Sequence, residues 1–390
     1  MWLRPILLRQ RVEVSCNSSD LVLEGLKRSN PSAVLQIPFW PRTTQPAVLA
    51  LRAFQAEIAA IPRHATSLDI ARIRYQWWRE SINHCFLHSH HQDQDAAAHT
   101  SRNHPLIQAL KPIIQAHKLS KYHFTRLINA SEAHHLEPRF TSVSSLVSYA
   151  QSTSYGTLSH LTQVLVTSSG DKASLGGIPL ATVDHALSHL SLFLTLVQLL
   201  SSMPYYIRHR TVHVVPGELL LMGCSDEQLF RFFSPPSSSS SSKYRDDEDP
   251  AVGFHAARDS LIALVHLAYA ELVAAREVIQ QDPAHTHRPD GTAALATHAQ
   301  RIQDHIYGSG PSLPSATLHP TIMPLFLPAT IARSQLHRIT QIILNSHPPH
   351  PTSSSQSRPA SVSHLVDEVT RKPDWSLPLK IWLDSKRCRF

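Results

Sequence analysis

Apolar residues in this sequence recur at helical spacing in one long segment after another, and that period limits the fold more than any other feature. Between residues 46 and 61, Ala47, Ala50, Leu51, Phe54, Ile58 and Ile61 fall on one stripe, as a helix packed along one side requires. A second helix is expected to start at Thr66, whose hydroxyl caps it with Asp69 following, and to run through Ile70, Ile73, Trp77 and Ile82. Ser120 is expected to cap another that carries Phe124, Leu127 and Ile128. Further helical stretches span residues 142–166, 181–203, 217–233, 252–279 and 321–344. Alternating strands joined by hairpin signals do not occur, so the fold class read from the sequence is all-α. Residues 187–200 are strongly apolar, but Ser188, His189, Ser191, Thr195 and Gln198 interrupt them. A membrane-spanning helix needs about 20 continuous apolar residues. A buried core helix is expected there instead.

The composition is consistent with one sizeable core, since 42% of the 390 residues are hydrophobic. The four cysteines, Cys16, Cys85, Cys224 and Cys388, lie far apart and give neither a disulfide framework nor a metal-ligand spacing. The formal net charge is +7, yet Lys and Arg are scattered, without the basic runs and aromatic interleaving of a nucleic-acid surface. A solvated basic surface, or attraction to an anionic membrane, suits that distribution better than nucleic acid. Residues 1–12 hold Arg4, Arg9 and Arg11 among Trp2, Leu3, Ile6, Leu7 and Leu8 with no acid, the composition of a mitochondrial presequence. The expected organisation is a presequence or tail over 1–19 and one helical domain over 20–344. A Ser/Pro/His-rich segment with a C-terminal tail follows over 345–390. Polar low-complexity stretches at 87–103, 235–250 and 345–363 read as surface insertions that cannot offset the entropy of ordering.

Three features invite a chemical reading and fail it. Of the 27 histidines, His84, His88, His90 and His91 cluster, but they run into a low-complexity segment where nothing would orient the rings. His134-His135 and His285 with His287 read the same way, as composition. The run Asp246-Asp247-Glu248-Asp249 follows a serine tract and reads as a solvated acidic loop. No Gly-x-Ser-x-Gly elbow, phosphate-binding Gly loop or His-Glu-x-x-His is present. These readings predict no catalytic residue, no metal and no cofactor.

One resemblance does carry information. Ala53-Phe54-Gln55-Ala56-Glu57-Ile58, followed by Ala71-Arg72-Ile73-Arg74-Tyr75-Gln76-Trp77-Trp78-Arg79-Glu80, resembles the squalene/phytoene synthase family. Within it, the closer likeness is to the complex I assembly factor 6 branch. Leu127-Ile128-Asn129-Ala130-Ser131-Glu132, Asp184-His185-Ala186, Pro204-Tyr205-Tyr206, Arg208-His209-Arg210 and Met323-Pro324-Leu325-Phe326 continue it in order. The resemblance implies an isoprenoid-synthase-like bundle of antiparallel helices around a central cavity. In the enzymes of the family, two aspartate-rich motifs on facing helices hold Mg²⁺ and the substrate diphosphates. Here the first motif is reduced to Glu57, followed by Ile58, Ala59 and Ala60, and no acid occurs from His185 to Gly217.

The function this implies is a non-catalytic assembly factor for respiratory complex I on the matrix side of the mitochondrial inner membrane. Its partners would be complex I subunits or other assembly factors, with peripheral membrane association. The alternative is a Mg²⁺-dependent prenyl transferase joining isoprenoid diphosphates. Arg208, His209 and Arg210 are candidates for contact with an anion or a lipid headgroup, or else solvent-facing charges beyond a helix ended by Pro204. Arg72, Arg74, Trp77 and Trp78 are candidates for a partner or cavity surface. The alternative for them is a solvated arginine face, with at least one tryptophan in the core.

Overall fold

The computed structural model describes residues 18–87, 103–171, 173–210, 212–220, 224–233, 250–280, 302–307, 316–346, 362, 366 and 374–390. The expected presequence, the histidines at 88, 90, 91, 285 and 287, and the acidic run at 246–249 lie outside the described residues. Thirteen helices follow one another in what is described. They are α1 (Ser18–Ser29), α2 (Pro31–Val34), α3 (Gln45–His64), α4 (Leu68–Phe86), α5 (Pro105–His117), α6 (Lys121–Leu136) and α7 (Val143–Ser152). Then come α8 (Ser154–Ser169), α9 (Leu180–Arg210), α10 (Asp226–Phe233), α11 (Pro250–Gln280), α12 (Met323–Leu344) and α13 (Leu377–Arg387). The class is all-α, as the spacing predicts.

The bundle is organised around α9, which packs on α11 most extensively and also on α7, α8 and α12. Leu187, Leu190, Phe193, Leu196, Val197, Leu200 and Met203 are all buried along it, and α11 answers with Leu261, Leu264, Val265, Ala268 and Leu272. By length and mean hydropathy α9 could be taken for a membrane span, but most of it is buried inside the fold. It is the core helix that the interrupted apolar run suggested.

Several elements match the spacing closely. All six stripe residues of α3 are buried. Ser120 caps α6 by accepting from the Tyr122 amide at 3.3 Å, and Phe124, Leu127 and Ile128 are buried behind it.

Others depart from it for identifiable reasons. The cap of α4 is Ser67, which accepts from the Ile70 amide at 3.3 Å; Thr66 is not its cap. The helix is also rotated from the expected face: Ile73 is 68% exposed and Ile70 is exposed too, while Ala71, Tyr75, Trp78, Ile82 and Cys85 are buried. Tyr75 fixes that rotation by donating to the Ser131 carbonyl at 3.3 Å. The stretch 142–166 is two helices, because the chain turns at Thr153 (φ −108°, ψ −81°), whose hydroxyl donates to the Tyr149 carbonyl at 2.8 Å. Pro204 does not end α9, which continues to Arg210. Proline removes one backbone hydrogen bond, and burial of Met203 and Ile207 on either side offsets it. The stretch 217–233 keeps only a 3₁₀ turn at Gly217–Leu219 and the short α10. The spacing did not single out α1, α5 or α13.

A two-residue antiparallel ladder, Ser174–Leu175 with Ile178–Pro179, is an exception to the expected absence of strands. Its turn needs glycine at Gly176 (φ +62°), where an added Cβ would lie 2.3 Å from His319 Nδ1. Gly176→Ala is therefore expected to destabilise the protein by roughly 2–4 kcal/mol, from left-handed strain plus the clash. In a urea-denaturation double-mutant cycle, His319→Ala should relieve the clash but leave the left-handed cost of about 1–2 kcal/mol. Strictly additive losses would show that the ring does not limit this turn.

Candidate functional site

Helix α3, which carries Glu57, and helix α9, which has no acid from His185 onward, are tied together at one end. The Tyr205 hydroxyl of α9 donates to the Pro62 carbonyl in the last turn of α3 at 3.2 Å. On α3, Arg52, Ala56 and Ala60 are half-buried and fall on one stripe. Arg52 Nη1 donates to Gln55 Oε1 at 3.3 Å, and burial pulls its pKa down to about 10. On α9, Gln198, Ser201, Ser202 and Tyr205 are polar residues that precede the basic end at Arg208. Ser201 donates to the Val197 carbonyl at 2.7 Å and Ser202 to the Leu199 carbonyl at 3.1 Å, so both hydroxyls are spent on their own helix.

A Mg²⁺–diphosphate clamp needs several carboxylate oxygens converging on the metal. Glu57 is the one acid of the α3 segment. It is exposed overall, yet desolvation raises its carboxyl pKa, with His64 and Arg74 drawing it partly back. Its charged neighbours are thus basic groups and not a second carboxylate. Among the described residues no three His, Cys, Asp or Glu side chains come together as a metal site. Glu57 alone, with no second carboxylate from α3 or from α9 beyond His185, does not give Mg²⁺ the converging oxygens that it needs.

The candidate residues separate into two groups. Trp78 is buried, with its ring edge-on to Phe54 at 5.4 Å. Trp77 is half-buried, set edge-on to Trp78 at 4.8 Å and to His104 at 5.2 Å. Arg72 and Arg74 are exposed, and Arg72 pairs with Asp69 at 3.3 Å. Arg79 instead ties α4 to α6, through an ion pair with Glu132 and a 2.9 Å bond to Asn129. The outward row of α4 is thus Ile70, Ile73 and Trp77 bordered by Arg72 and Arg74, while Trp78 belongs to the core. The spacing of Ile70 and Ile73 suits either face of the helix, which is why periodicity alone places them in the packed stripe.

At the end of α9, Arg208 and His209 are exposed. Arg208 Nε donates to the Pro204 carbonyl at 3.1 Å, and the His209 ring lies against Tyr205 at 4.9 Å. The side chain of Arg210 lies outside the described residues. Basic groups in the last turn complement the negative end of the helix dipole, which is sufficient local reason for them.

The sequence reading missed a cluster beside this junction. His134 and His135, taken as compositional, are buried. His134 Nε2 lies 3.1 Å from the Tyr206 hydroxyl, and its ring stacks on Phe140 at 4.9 Å and tilts against Tyr149 at 4.7 Å. Burial lowers the His134 pKa to about 4, with His135 adding to the effect. His160, bonded to the Ser120 carbonyl at 2.9 Å, is likewise brought to about 4 by burial.

Residues 26–243 match the squalene/phytoene synthase family. The sequence is 29% identical over 192 residues to the NADH dehydrogenase (ubiquinone) complex I, assembly factor 6 homolog of Drosophila melanogaster, covering 49% of this chain and 52% of that protein. It is 25% identical over 209 residues to complex I, assembly factor 6 of Rattus norvegicus, covering 54% and 56%. With the Dictyostelium discoideum homolog it shares 25% over 182 residues, covering 47% and 45%. The chain spans about half the length of the curated relatives it matches. A dehydrosqualene synthase crystal structure in complex with ligand superposes with a TM-score of 0.48 at 12% identity, covering 90% of this chain and 95% of that one.

The buried histidines predict a pH dependence of stability. Both stay neutral in the fold to about pH 4, whereas in the unfolded chain they protonate near pH 6.5. Their contribution is complete above that value and is lost as pH falls from about 6.5 to about 4, because the unfolded state then binds more protons. Urea midpoints should drop between pH 7.5 and pH 5 by the equivalent of roughly 2 kcal/mol per histidine. His134→Gln and His160→Gln should each flatten that dependence. An unchanged midpoint in the unsubstituted protein would mean that the rings are already charged in the fold.

Proposed function

The chain belongs to the squalene/phytoene synthase family, and from that premise we propose that it is a non-catalytic assembly factor for respiratory complex I. The observation that carries this reading is the acid-free stretch of α9 from His185 onward, together with an α3 segment reduced to Glu57. Ionising an allylic diphosphate places negative charge on the leaving group, which a synthase must stabilise with metal held by carboxylates. Among the described residues, no cluster of ligands for that task is found. The names of its relatives in fly, rat and slime mould, all complex I assembly factor 6, support the biological role. The proposed location is mitochondrial, peripheral to the matrix face of the inner membrane, with residues 1–19 acting as presequence. The partner surface is the outward row of α4, where Ile70, Ile73 and Trp77 are bordered by Arg72 and Arg74. Complex I subunits or other assembly factors would cover it. Arg208, His209 and Arg210 form a secondary, anion-seeking end of α9.

Deletion of the gene in a host that possesses complex I should reduce the assembled complex on native gels, and normal levels would overturn the assembly role. Incubated with Mg²⁺ and farnesyl or geranylgeranyl diphosphate, the pure protein should release no pyrophosphate. Metal-dependent turnover abolished by Glu57→Ala would instead establish the prenyl transferase alternative. Because Ile73 is exposed, Ile73→Asp should leave stability within about 0.5 kcal/mol and yet fail to restore complex I in the deletion strain. Full restoration would remove α4 as the docking face.

A further inference from the structure

The last described segment, 374–390, is locked to the fold on one side and carries an uncovered aromatic row on the other. Its inner face is fully engaged. Leu377 and Ile381 are buried, and α13 packs on α12. Asp384 accepts from the Thr330 hydroxyl at 2.7 Å and from Arg333 Nη2 at 3.2 Å. Asp374 accepts from the Ser334 hydroxyl at 2.8 Å and from Lys380 Nζ at 3.1 Å. Beyond the helix, the Leu318 amide donates to the Cys388 carbonyl at 2.7 Å. Phe390 is buried against Phe326 with ring centroids 4.5 Å apart, and the Arg276 guanidinium lies 5.5 Å from the Phe390 ring centroid. With both ends pinned, α13 cannot roll over to bury its other side.

That other side is apolar and aromatic. Trp375, just ahead of the helix, is 87% exposed, Leu379 is 57% exposed and Trp382 is 47% exposed. Helical spacing puts Leu379, Trp382 and Lys386 in one row opposite Leu377 and Ile381. Two tryptophans standing this far into water are unusual for a surface with no occupant. The charge around them has one sign. Lys380, Lys386, Arg387 and Arg389 are exposed, whereas both nearby aspartates are held in the contacts just described. No acid pairs with Lys386, Arg387 or Arg389 among the described residues.

We propose that α13 is an interfacial docking helix for an anionic lipid surface, with Trp375, Leu379 and Trp382 entering the headgroup boundary. Lys386, Arg387 and Arg389 would meet the lipid phosphates. Tryptophan is favoured at that depth because its ring is apolar while its N–H still finds a polar partner. Basic residues beside such a row add attraction to anionic lipid that falls off within a Debye length. An unmixed basic rim fits a negatively charged membrane better than a protein face, where both signs of charge are the rule. Pinning by Asp384, Asp374 and Phe390 removes the ordering cost that a free amphipathic peptide must overcome on binding. The proposal gives the peripheral association suggested above a place on the molecule. It rests on that reading only for which membrane is met.

The test is flotation of the purified full chain with vesicles of phosphatidylcholine alone, and of phosphatidylcholine mixed equally with phosphatidylglycerol. The wild-type chain should float with the mixed vesicles and only weakly with the neutral ones, and added salt should release it. Trp375→Ser with Trp382→Ser should weaken flotation by about tenfold or more while leaving the melting temperature unchanged, since neither ring is in the core. Lys386→Glu with Arg387→Glu should abolish the preference for phosphatidylglycerol. Leu21→Ser, which alters an exposed apolar residue on α1, should bind as wild type does. Equal flotation by the double-tryptophan variant would overturn the proposal. So would sedimentation in which the wild type, but not that variant, self-associates without lipid, which would assign the row to a second copy. Flotation decides α13 alone and native-gel rescue decides the assembly role alone, so failure of either is distinguishable from failure of the other.

Discussion

The burial of α9 is the constraint on which the rest of this structure depends. A helix of 31 residues packed on α7, α8, α11 and α12 has little of its middle left for water. Its polar residues must then be satisfied locally, and they are: Thr195 donates to the Ser191 carbonyl at 2.8 Å and lies 2.8 Å from the Ser154 hydroxyl, while Ser191 donates to the Ser188 carbonyl at 2.7 Å. A carboxylate in such a setting would cost several kcal/mol unless a metal or cation compensated it. With no acid from His185 onward, α9 serves as a pillar for packing, tied to its neighbours by Asp184, which accepts from the Tyr155 hydroxyl, and by the His189–Glu271 contact.

Among the described helices, α4 and α13 each keep a row of apolar residues outside the core. On α4 the surplus is Ile70 and Ile73, because Tyr75 and Trp78 have taken the inner positions. On α13 it is Trp375, Leu379 and Trp382, because Leu377 and Ile381 have done so. The two rows differ in their borders. Asp69, at the edge of the α4 row, pairs with Arg72 while staying exposed, whereas beside the α13 row Asp374 and Asp384 are held in contacts with the fold and Lys386, Arg387 and Arg389 are exposed.

Legibility varied from helix to helix, for reasons that lie in the residues. On α3 the apolar positions form one stripe against small or polar alternatives, so spacing and burial coincide. On α4 almost every second residue is apolar or aromatic, and two stripes compete; the Tyr75 bond to Ser131, a contact between distant residues, selects one of them. The interruption at Thr153 arises from a side chain bonding its own backbone, which helical periodicity does not register. His134 and His135 looked like part of a histidine-rich composition, yet aromatic neighbours from three other segments enclose His134. No local pattern contains those neighbours.

What the sequence determined by itself was the helical class, the capping of α6, the buried stripe of α3 and the missing carboxylates between His185 and Gly217. Each follows from residue types and their spacing along one element, and packing cannot add an acid that the chain does not encode. What only the tertiary structure decided was which side of each two-faced helix is covered. It also set how far α9 extends past Pro204 and showed that the segment ending in Phe390 belongs to the bundle. The physical reason is common to all three. Burial is a property of what the rest of the chain brings alongside, so an amphipathic or doubly apolar helix acquires an inside and an outside only when its neighbours arrive.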